Sequence, residues 1–364
     1  MEKKKFLFVI PSLVGGGSER VLVTIANNLC MENEITILTL TKSECFYALN
    51  ERVKVIKLDN EIKRNNFFIE KACLLKGFFK SLIKIGKTVR KINPNSILSF
   101  SNETNLLVIL LKTLHLLNCK VIVSERANPY RRKKIFRFFE RNFYSNADTV
   151  ICQSESVCRF FKSKDQEKLK IIRNPLCRAA AAPYFCETRV KKIVSVGRLF
   201  PQKNHALLIE AFSMLGPNFD DYTLEIYGEG PLKSKLQQQI NESTKKNKIF
   251  LMGEKHNVMH SIADASMLVL SSDFEGFPNV IIEALASGLP VVSTDFSPCG
   301  VAAEIVNEKN GFVVPCGNPS ALAIAIENVL CKKQIIPYMK DESKRIKTIY
   351  DEKIVSNEFF EAIS

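Results

Sequence analysis

The stretch "SMLVLSSDFEGFPNVIIEALASGLPVVSTD", from Ser266 to Asp295, contains a strand pattern, a polar loop, a helix pattern and a second strand pattern. Pro278 stands at the predicted first helical position, and Gly288 follows the last apolar turn of the helix. Both strand patterns are short apolar runs, which are typical of strands buried on both faces of a parallel sheet. The stretch therefore predicts one β-α-β unit of a doubly wound α/β fold.

The same alternation of short apolar runs with longer helical patterns occurs in both halves of the chain. In the first half the predicted strands are KFLFVI from Lys5, EITILTL from Glu34, VKVIKL from Val53, SILSF from Ser96, KVIVSE from Lys120 and TVICQS from Thr149. In the second half they are KKIVSVG from Lys191, TLEIYG from Thr223, KIFLMG from Lys248, SMLVLSS from Ser266, PVVSTD from Pro290 and GFVVP from Gly311. The repetition predicts two doubly wound, Rossmann-like domains.

The junction between the domains is predicted in "NPLCRAAAAPYFCETRV", from Asn174 to Val190. The charge balance changes sign there: residues 1–178 contain 33 Lys and Arg against 16 Asp and Glu, and the later residues contain 19 against 22. We therefore predict a first domain over residues 1–176, a linker over 177–190, a second domain over 191–340, and a C-terminal helix in 341–364 that packs back on the first domain. Open α/β sheets bind ligands at the carboxyl ends of their strands, so a central cleft is the expected site.

Composition limits the class of protein. With 364 residues, of which 46% are hydrophobic and 25% charged, the chain is typical of a globular protein with two domains. Its 11 cysteines are an odd number without a C-x-x-C motif, which favours a reducing compartment. The apolar run after "MEKKK" is too short for a signal peptide, and no run is long enough to span a membrane. We therefore expect a cytoplasmic protein.

Basic residues follow the first strand of the second domain. In "GRLFPQKN", Gly197 allows a tight turn, and Arg198 and Lys203 place two cations before the start of a helix. Free helical N–H groups together with two cations suit a pyrophosphate. Two solvated surface charges are the alternative interpretation. The turn "YGEGPL" from Tyr227 follows the next strand and permits a close approach of the backbone.

Two glutamates, Glu275 and Glu283, lie in the opening stretch, the first in the loop and the second about one turn inside the helix. Paired carboxylates can be the acid and base of a glycoside hydrolase, but these different environments favour separate tasks. A carboxylate can accept hydrogen bonds from neighbouring sugar hydroxyls, and the backbone after Gly276 can face a phosphate or a sugar. The alternative is a Glu275 that complements the helix dipole and a Glu283 that is partly exposed.

In their order and spacing, "VGGGSER", "GRLFPQKN", "YGEGPL" and the E-x7-E motif of Glu275 and Glu283 resemble the retaining, nucleotide-sugar-dependent glycosyltransferases of family 4. The resemblance covers nearly the whole chain. It implies the GT-B fold, in which two Rossmann-like domains face each other across a cleft. It is strongest to the bacterial branch that builds surface polysaccharides and lipid-linked glycans.

The resemblance implies a role for each matching residue. Arg198 and Lys203 would neutralise the donor diphosphate, while Glu275 would hold the transferred sugar. Further donor contacts would come from Glu283 at the ribose, from Gly197, Gly276, Phe277, Pro278 and Asn279 around the sugar and phosphate, from Gly253 at the base, and from Gly16 and Gly17 of the first domain. Because fixed cations would stabilise the leaving group and no D-x-D motif occurs, we expect no metal requirement and no cofactor besides the nucleotide-sugar co-substrate.

Arg126 departs from the family pattern. In the loop "SERANPYRR" it stands where some members carry a histidine close to the transferred sugar. The resemblance implies that Arg126 has a catalytic contact with the sugar or with an acceptor phosphate, although an arginine cannot be a general base. An ion pair with Glu125 or Glu103 is the alternative interpretation.

Two basic segments of the first domain are predicted to meet an anionic partner. Residues 71–91, "KACLLKGFFKSLIKIGKTVRK", contain seven basic and no acidic residues, and residues 126–144, "RANPYRRKKIFRFFERNFY", contain seven basic residues against Glu140. Apolar residues lie between the charges, as in helices that bind an anionic membrane surface. The alternative is an apolar face in the domain core beneath a solvated face. Nothing resembles a nucleic-acid-binding module, so nucleic acid is not an expected partner.

These features predict a retaining glycosyltransferase. It would transfer a hexose or N-acetylhexosamine from a nucleotide sugar, most often UDP-linked in this family, to a saccharide on a polyprenyl diphosphate or glycolipid. It would attach peripherally to the inner face of the cytoplasmic membrane. Two alternatives stay open: a nucleotide-sugar epimerase of the same fold, and a catalytically idle, membrane-associated scaffold that binds sugar nucleotides.

Overall fold

The chain forms two compact units. The computed structural model describes residues 3–58, 67–132, 134–161, 166–176, 188–255, 257–296, 301–331 and 335–364. One unit consists of residues 1–175 with 352–364, and the other of residues 176–351. Each unit contains a parallel sheet with connecting helices, which confirms the predicted doubly wound α/β class.

The first unit is built on a seven-stranded sheet. Its elements are β1 (Lys5–Ile10), α1 (Gly17–Leu29), β2 (Glu34–Thr39), β3 (Lys54–Lys57), α2 (Phe67–Ile92), β4 (Ser96–Phe100), α3 (Asn102–Thr113), β5 (Lys120–Ser124), α4 (Lys134–Tyr144), β6 (Thr149–Cys152), α5 (Glu155–Phe161) and β7 (Leu169–Ile171). The strand order is β3-β2-β1-β4-β5-β6-β7, and neighbouring strands are parallel. The central strands β1, β4 and β5 are almost wholly buried, as their apolar runs predict.

The second unit is built on a six-stranded parallel sheet in the order β10-β9-β8-β11-β12-β13. Its elements are β8 (Val190–Val196), α6 (His205–Ser213), β9 (Thr223–Tyr227), α7 (Lys233–Glu242), β10 (Ile249–Gly253), α8 (Val258–Ile262), β11 (Ala265–Leu270), α9 (Asn279–Ala286), β12 (Val291–Asp295), α10 (Val301–Ile305), β13 (Gly311–Pro315), α11 (Pro319–Cys331) and α12 (Ile336–Ile349). The strand order reverses between β8 and β11. Ligands of doubly wound sheets bind outside the carboxyl ends of the strands at such a switch point.

Every predicted strand is present, but β7 was not predicted. It has three residues, Leu169–Ile171, and none of them is fully buried, so no apolar run marks it in the sequence. The predicted start of α9 is wrong by one position, since the helix begins at Asn279 and Pro278 is the residue before it. Helix boundaries are less well specified by local sequence than the existence of the helix.

The last helix, α13 (Glu352–Ile363), belongs to the first unit. It packs on α1, and its Phe359 ring stacks on Phe100 of β4 with the centroids 6.2 Å apart. α12 belongs to the second unit, where Ser343 Oγ donates to the Ala286 carbonyl at 2.5 Å. The boundary predicted at residue 340 therefore lies inside α12. Most of the predicted linker, including the alanines at residues 179–182, lies outside the described residues.

The first basic segment lies within α2, and the second consists of the loop after β5 and α4. In α2 the side chains of Leu82 and Ile85 are buried, whereas Phe79 and Ile83 are exposed. The apolar residues of α2 are thus divided between the core and the solvent, and its binding to an anionic membrane surface stays a prediction. No helix formed by the described residues is long and apolar enough to cross a membrane.

Candidate active site

The loop after β8 positions Lys203. Between β8 and α6 the chain makes a single 3-10 turn at Pro201–Lys203. Asn204 then adopts a left-handed conformation with φ 43°, and its Oδ1 accepts from the Leu207 N–H at 3.3 Å, which caps α6. A Cβ atom at Gly197 would lie 3.0 Å from Cδ and Cε of Lys203. The absence of a side chain at Gly197 therefore makes space for the side chain of Lys203.

The loop after β11 positions Glu275 and is tied to the loop after β8. The Asp273 N–H donates to the Gln202 carbonyl at 2.9 Å, and Asn204 Nδ2 donates to Asp273 Oδ1 at 2.8 Å. Ser272 and Glu275 are buried within this loop. Because β8 and β11 are neighbours in the sheet, the two loops meet at the switch point.

Lys203 and Glu275 form an ion pair at the junction of these loops. Lys203 Nζ lies 2.6 Å from Glu275 Oε1, and the side chains are only 17% and 9% exposed. Ser272 Oγ donates to the same carboxylate oxygen at 2.7 Å, while Gln202 Nε2 donates to Oε2 at 3.1 Å. Three donors on two loops therefore hold one carboxylate in place.

This arrangement makes Lys203 and Glu275 a single unit. An ammonium group has three N–H donors, and the described contact with Glu275 uses one, so the same nitrogen can still donate to a bound phosphate. The Glu275 carboxylate is oriented by its partners and retains lone pairs for hydroxyl donors. The geometry favours a binding role for both groups over a proton-transfer pair.

Glu283 lies in α9, the helix that follows Glu275, and it is buried. The interpretation of Glu283 as a partly exposed surface residue is therefore wrong. A carboxylate is rarely buried unless it has partners, and Glu283 does have a polar or electrostatic partner in the structure. Two buried glutamates thus follow the same strand, β11, one in its loop and one on its helix.

Arg198 lies beside this cluster in a different environment. Its side chain is exposed, and its guanidinium carbon lies 5.1 Å from the centroid of the Phe200 ring. It lines an open cavity of about 300 Å³ at the carboxyl ends of β8 and β9. The other residues that line this cavity are Val196, Gly197, Tyr227, Gly228, Glu229, Glu254, Lys255 and Val258. An exposed cation at the edge of a cavity can meet an anionic ligand.

Glycines allow the loops after β8, β9 and β10 to pack closely. Gly228 has φ 142°, and a Cβ atom there would overlap the Gly197 carbonyl oxygen. The Gly228 N–H donates to the Gly253 carbonyl at 2.8 Å, and Gly253 itself has φ 72°. The backbone of Gly253 therefore lies next to the residues that line the cavity, as the predicted base-binding position requires. Phe277 and Gly276 are half-buried in the loop before α9.

His205 is a buried residue of this site that the sequence reasoning missed. Its Nε2 lies 3.2 Å from the Gly197 carbonyl oxygen, and because a carbonyl only accepts, Nε2 is the donor. Burial lowers the pKa of His205 to about 4, so the ring is neutral near pH 7. The histidine at the start of α6 thus fixes the turn on which Arg198 and Lys203 depend.

Acidification should destabilise the second unit through His205. Between pH 6.5 and 4 the unfolded side chain binds a proton and the folded one does not, so the free energy of unfolding falls as the pH is lowered. The loss contributed by this residue reaches about 3 kcal/mol at pH 4. His205→Gln should remove that component, which urea unfolding of both proteins at several pH values would measure. An equal pH dependence in the variant would contradict the assignment.

In the first unit, Gly16 and Gly17 lie at the start of α1. Gly16 is the N-cap residue, and its carbonyl accepts from the Tyr47 hydroxyl at 3.0 Å. A Cβ atom at Gly16 would overlap the carboxylate of Glu19. The first N–H groups of α1 have no partner within the helix itself, as at every helix start, and can face an anion. Their predicted contact with the donor stays a prediction.

Arg126 is buried behind the carboxyl end of β5, with 7% of its surface exposed. Its Nη1 donates to Asn174 Oδ1, and the guanidinium lies 4.7 Å from the Phe100 ring centroid and 5.3 Å from that of Phe359. Burial lowers the pKa of Arg126 to about 9. Its Nε and Nη2 have no hydrogen-bond partner among the described residues. The expected contact of Arg126 with a sugar or phosphate stays a prediction.

Glu125, which the alternative interpretation pairs with Arg126, is hydrogen-bonded to other residues. Its Oε1 accepts from Arg132 Nη2 at 3.2 Å, and its Oε2 accepts from the Tyr144 hydroxyl at 3.0 Å. Glu125 is fully buried, so these bonds offset the cost of its burial. The buried network ties the loop after β5 to α4.

Two family models match the chain over most of its length. The model described as "Glycosyl transferases group 1" matches residues 184–348, and the model described as "Glycosyltransferase Family 4" matches residues 15–177. The chain belongs to the group 1 and family 4 glycosyltransferases. The resemblance seen in the motifs and the prediction of an enzyme are thereby confirmed.

This glycosyltransferase has relatives of similar length in Campylobacter jejuni. It is 29% identical over 350 residues to GalNAc-alpha-(1->4)-GalNAc-alpha-(1->3)-diNAcBac-PP-undecaprenol alpha-1,4-N-acetyl-D-galactosaminyltransferase, with 93% of this chain and 94% of the relative covered. It is 27% identical to N-acetylgalactosamine-N,N'-diacetylbacillosaminyl-diphospho-undecaprenol 4-alpha-N-acetylgalactosaminyltransferase, with 96% of both chains covered.

Among solved structures, that of Anabaena HepE in complex with UDP and glucose is similar to the whole glycosyltransferase. The two structures match over 98% of each chain with a TM-score of 0.76 and 18% identity. At this identity the likeness concerns the fold, and it confirms the expected GT-B architecture.

Proposed function

We propose that this glycosyltransferase transfers an N-acetylhexosamine or a hexose from a nucleotide sugar to a lipid-linked oligosaccharide, with retention of configuration. UDP is the preferred nucleotide carrier in this proposal. The observation that carries the proposal is the Lys203–Glu275 ion pair beside the cavity at the carboxyl ends of β8 and β9. The names of the Campylobacter relatives, which specify undecaprenol-linked saccharides, support the acceptor class. The structure of HepE in complex with UDP and glucose supports UDP as the nucleotide of the donor.

The donor diphosphate would bind between Arg198 and Lys203. Arg198 is exposed at the cavity and can move, whereas Lys203 is held by Glu275. A fixed cation and a mobile one can therefore meet the diphosphate from two directions. Gly197 would let the backbone approach the phosphates, since no side chain separates it from the cavity that it lines.

The rest of the donor would extend along the loops after β11 and β10. Glu275 would accept hydrogen bonds from hydroxyls of the transferred sugar, and Glu283 from those of the ribose. The backbone of Gly276, Phe277 and Asn279, next to the start of α9, would face the sugar and phosphate, with Pro278 fixing the turn. Gly253 would receive the base. Glu275 would thus be positioned for the sugar by the same lysine that contacts the diphosphate.

Catalysis would be electrostatic. When the nucleoside diphosphate departs, the sugar becomes oxocarbenium-like and negative charge grows on the leaving group. Lys203 and Arg198 would stabilise this charge more in the transition state than in the bound donor, which is the condition for a rate increase. Positioning by Glu275 would keep the sugar aligned with the acceptor hydroxyl.

The acceptor would be met by the first unit at a membrane. Gly16 and Gly17 at the start of α1, together with Arg126, are the candidates for contact with sugar or phosphate. The basic helices α2 and α4 would attach the protein to the anionic inner face of the cytoplasmic membrane, where a lipid-linked acceptor is present. Peripheral attachment fits the exposed Phe79 and Ile83 on α2.

A panel of nucleotide sugars tests the donor proposal. We expect at least one UDP-sugar to raise the melting temperature and to be hydrolysed slowly to UDP in the absence of acceptor. A ligand that binds only the folded protein stabilises it by an amount that grows with the logarithm of the ligand concentration over Kd. The proposal would be contradicted if no UDP- or GDP-sugar stabilised the protein and none was hydrolysed. A changed sugar that is still attached to UDP would indicate the epimerase alternative.

Metal independence is a further expectation. Within the described parts of the chain, no group of three or more His, Cys, Asp and Glu side chains is placed to hold a metal ion. Because two cationic side chains are assigned to the diphosphate, EDTA should leave the rate of donor hydrolysis unchanged. Loss of activity in EDTA that Mg²⁺ or Mn²⁺ restores would contradict this expectation.

A further inference from the structure

A second cavity lies between α4 and α5 of the first unit. It is open and has a volume of about 510 Å³. Four basic side chains line it, with no carboxylate among the lining residues, which are Tyr130, Lys134, Arg137, Phe138, Arg141, Asn142, Arg159 and Phe160. Nothing in the proposed transfer reaction uses this cavity.

Three of the four cations of this basic pocket are not paired with a carboxylate among the described residues. Lys134, Arg137 and Arg159 form no ion pair among the described residues, and the Arg141 guanidinium lies 5.9 Å from the Phe160 ring centroid. Arg132, which precedes α4, is by contrast paired with Glu125 and Glu140. Like charges that converge on one concave surface repel each other, so an anion that enters the pocket is attracted by Lys134, Arg137 and Arg159.

The surface beside the basic pocket is apolar and exposed. Phe138 lines the pocket and Phe139 follows it, and their side chains are 65% and 61% exposed with ring centroids 6.0 Å apart. Phe139 also lines a neighbouring groove of about 810 Å³, together with Phe78, Leu106, Leu110 and Phe143. Exposed aromatic rings next to cations are typical of a helix that lies in the interface of a membrane. The anion is therefore expected to be part of a lipid.

We propose that the basic pocket between α4 and α5 is a discrete binding site for the terminal phosphate or diphosphate of a membrane lipid. This inference rests on the proposed function, and it replaces diffuse attraction to a membrane by a defined site. Arginine presents paired N–H donors that match phosphate oxygens. Arg137 and Arg159 would therefore bind a terminal phosphate group more tightly than the phosphodiester within a lipid headgroup. Phe138 and Phe139 would enter the lipid surface beside it.

The test compares vesicles of equal surface charge that contain phosphatidylglycerol, phosphatidic acid or a polyprenyl diphosphate. Wild-type protein should bind the vesicles with phosphatidic acid or polyprenyl diphosphate about tenfold more tightly, as expected from one or two charge-assisted hydrogen bonds. Preference for the polyprenyl diphosphate alone would identify a prenyl diphosphate as the bound lipid, and preference for both would show that any lipid with a terminal phosphate is bound. Equal binding to all three vesicles would overturn the proposal.

Arg137→Gln/Arg159→Gln should abolish this preference. The matched variant Arg52→Gln/Lys54→Gln removes two exposed charges of the same unit outside α2 and α4 and should keep the preference. Equal loss in both variants would indicate a diffuse charge effect and would overturn the proposal. If the Arg137→Gln/Arg159→Gln variant does not fold, Arg137→Lys/Arg159→Lys can replace it, because that variant keeps the charge. It should weaken the preference for phosphatidic acid without weakening binding to phosphatidylglycerol. No donor is present, so the result is independent of the transfer reaction.

Discussion

Replacing Lys203 with alanine should lower kcat for sugar transfer by about 10²- to 10³-fold while the protein stays folded. The substitution removes the cation assigned to the leaving diphosphate and separates Glu275 from its strongest partner, at 2.6 Å. Because negative charge on the diphosphate grows during the reaction, the loss should fall on kcat more than on the affinity for the donor. Steady-state kinetics with a thermal unfolding curve of the same sample would measure both effects.

Lys245→Ala is the matched control for this experiment. Lys245 is also a partly buried lysine of the second unit, 13% exposed, and its Nζ pairs with Asp220 Oδ1 at 3.0 Å. Its removal costs one lysine ion pair, here with the more exposed Asp220, but touches no residue assigned to the donor, so kcat should stay within about twofold of the wild-type value. Equal losses in the two variants, or full activity of Lys203→Ala, would refute the role of Lys203.

Gly228→Ala should have the largest effect on stability at the site. Gly228 has φ 142°, where side chains are strained, and an added Cβ atom would overlap the Gly197 carbonyl oxygen. Both are backbone constraints that no rotamer change relieves, so the free energy of unfolding of the second unit should fall by about 3 kcal/mol or more. Moving Gly197 would also displace the turn of Arg198 and Lys203. Urea unfolding and donor-induced thermal stabilisation would measure the two consequences.

Gly317→Ala separates backbone strain from steric overlap. Gly317 also has a positive φ, 70°, but no described atom lies within 4 Å of an added Cβ. The cost should therefore be about 1 to 2 kcal/mol, and donor binding should be kept. If Gly228→Ala were no more destabilising than Gly317→Ala, the close packing of the loops after β8 and β9 would not be what requires glycine.

The arrangement of strands could be predicted from the sequence because it depends on local patterns. Short, mostly apolar runs mark strands, so β4, which is buried throughout, and β13, which is half-buried at the edge of its sheet, were both predicted with their observed bounds. The edge strand β7 was missed, since two half-buried residues on either side of an exposed lysine leave no such pattern. Positions after strands were also predictable, because parallel strands present all their carboxyl ends at one edge.

The contacts within the site could not be predicted in the same way. Lys203 and Glu275 lie on different loops, and the sequence assigned them to different parts of the donor rather than to one ion pair. Gln202 and Ser272 hold the same carboxylate, but each is an ordinary loop residue in the sequence. Such contacts are set by which strands are neighbours and by side-chain directions. In the sequence, the one feature that points to Gln202 is its position directly before Lys203.

Transfer onto a membrane-bound acceptor tests the account most directly. Vesicles that contain a polyprenyl-diphosphate-linked saccharide would be incubated with the enzyme and a panel of UDP-N-acetylhexosamines and UDP-hexoses, and the lipid products analysed by mass spectrometry. We predict a lipid-linked saccharide longer by one sugar with the wild-type enzyme, and at least about a hundredfold less of it with Lys203→Ala. The account would be contradicted if no sugar from the panel reached the lipid-linked acceptor, or if Lys203→Ala formed the product at the wild-type rate.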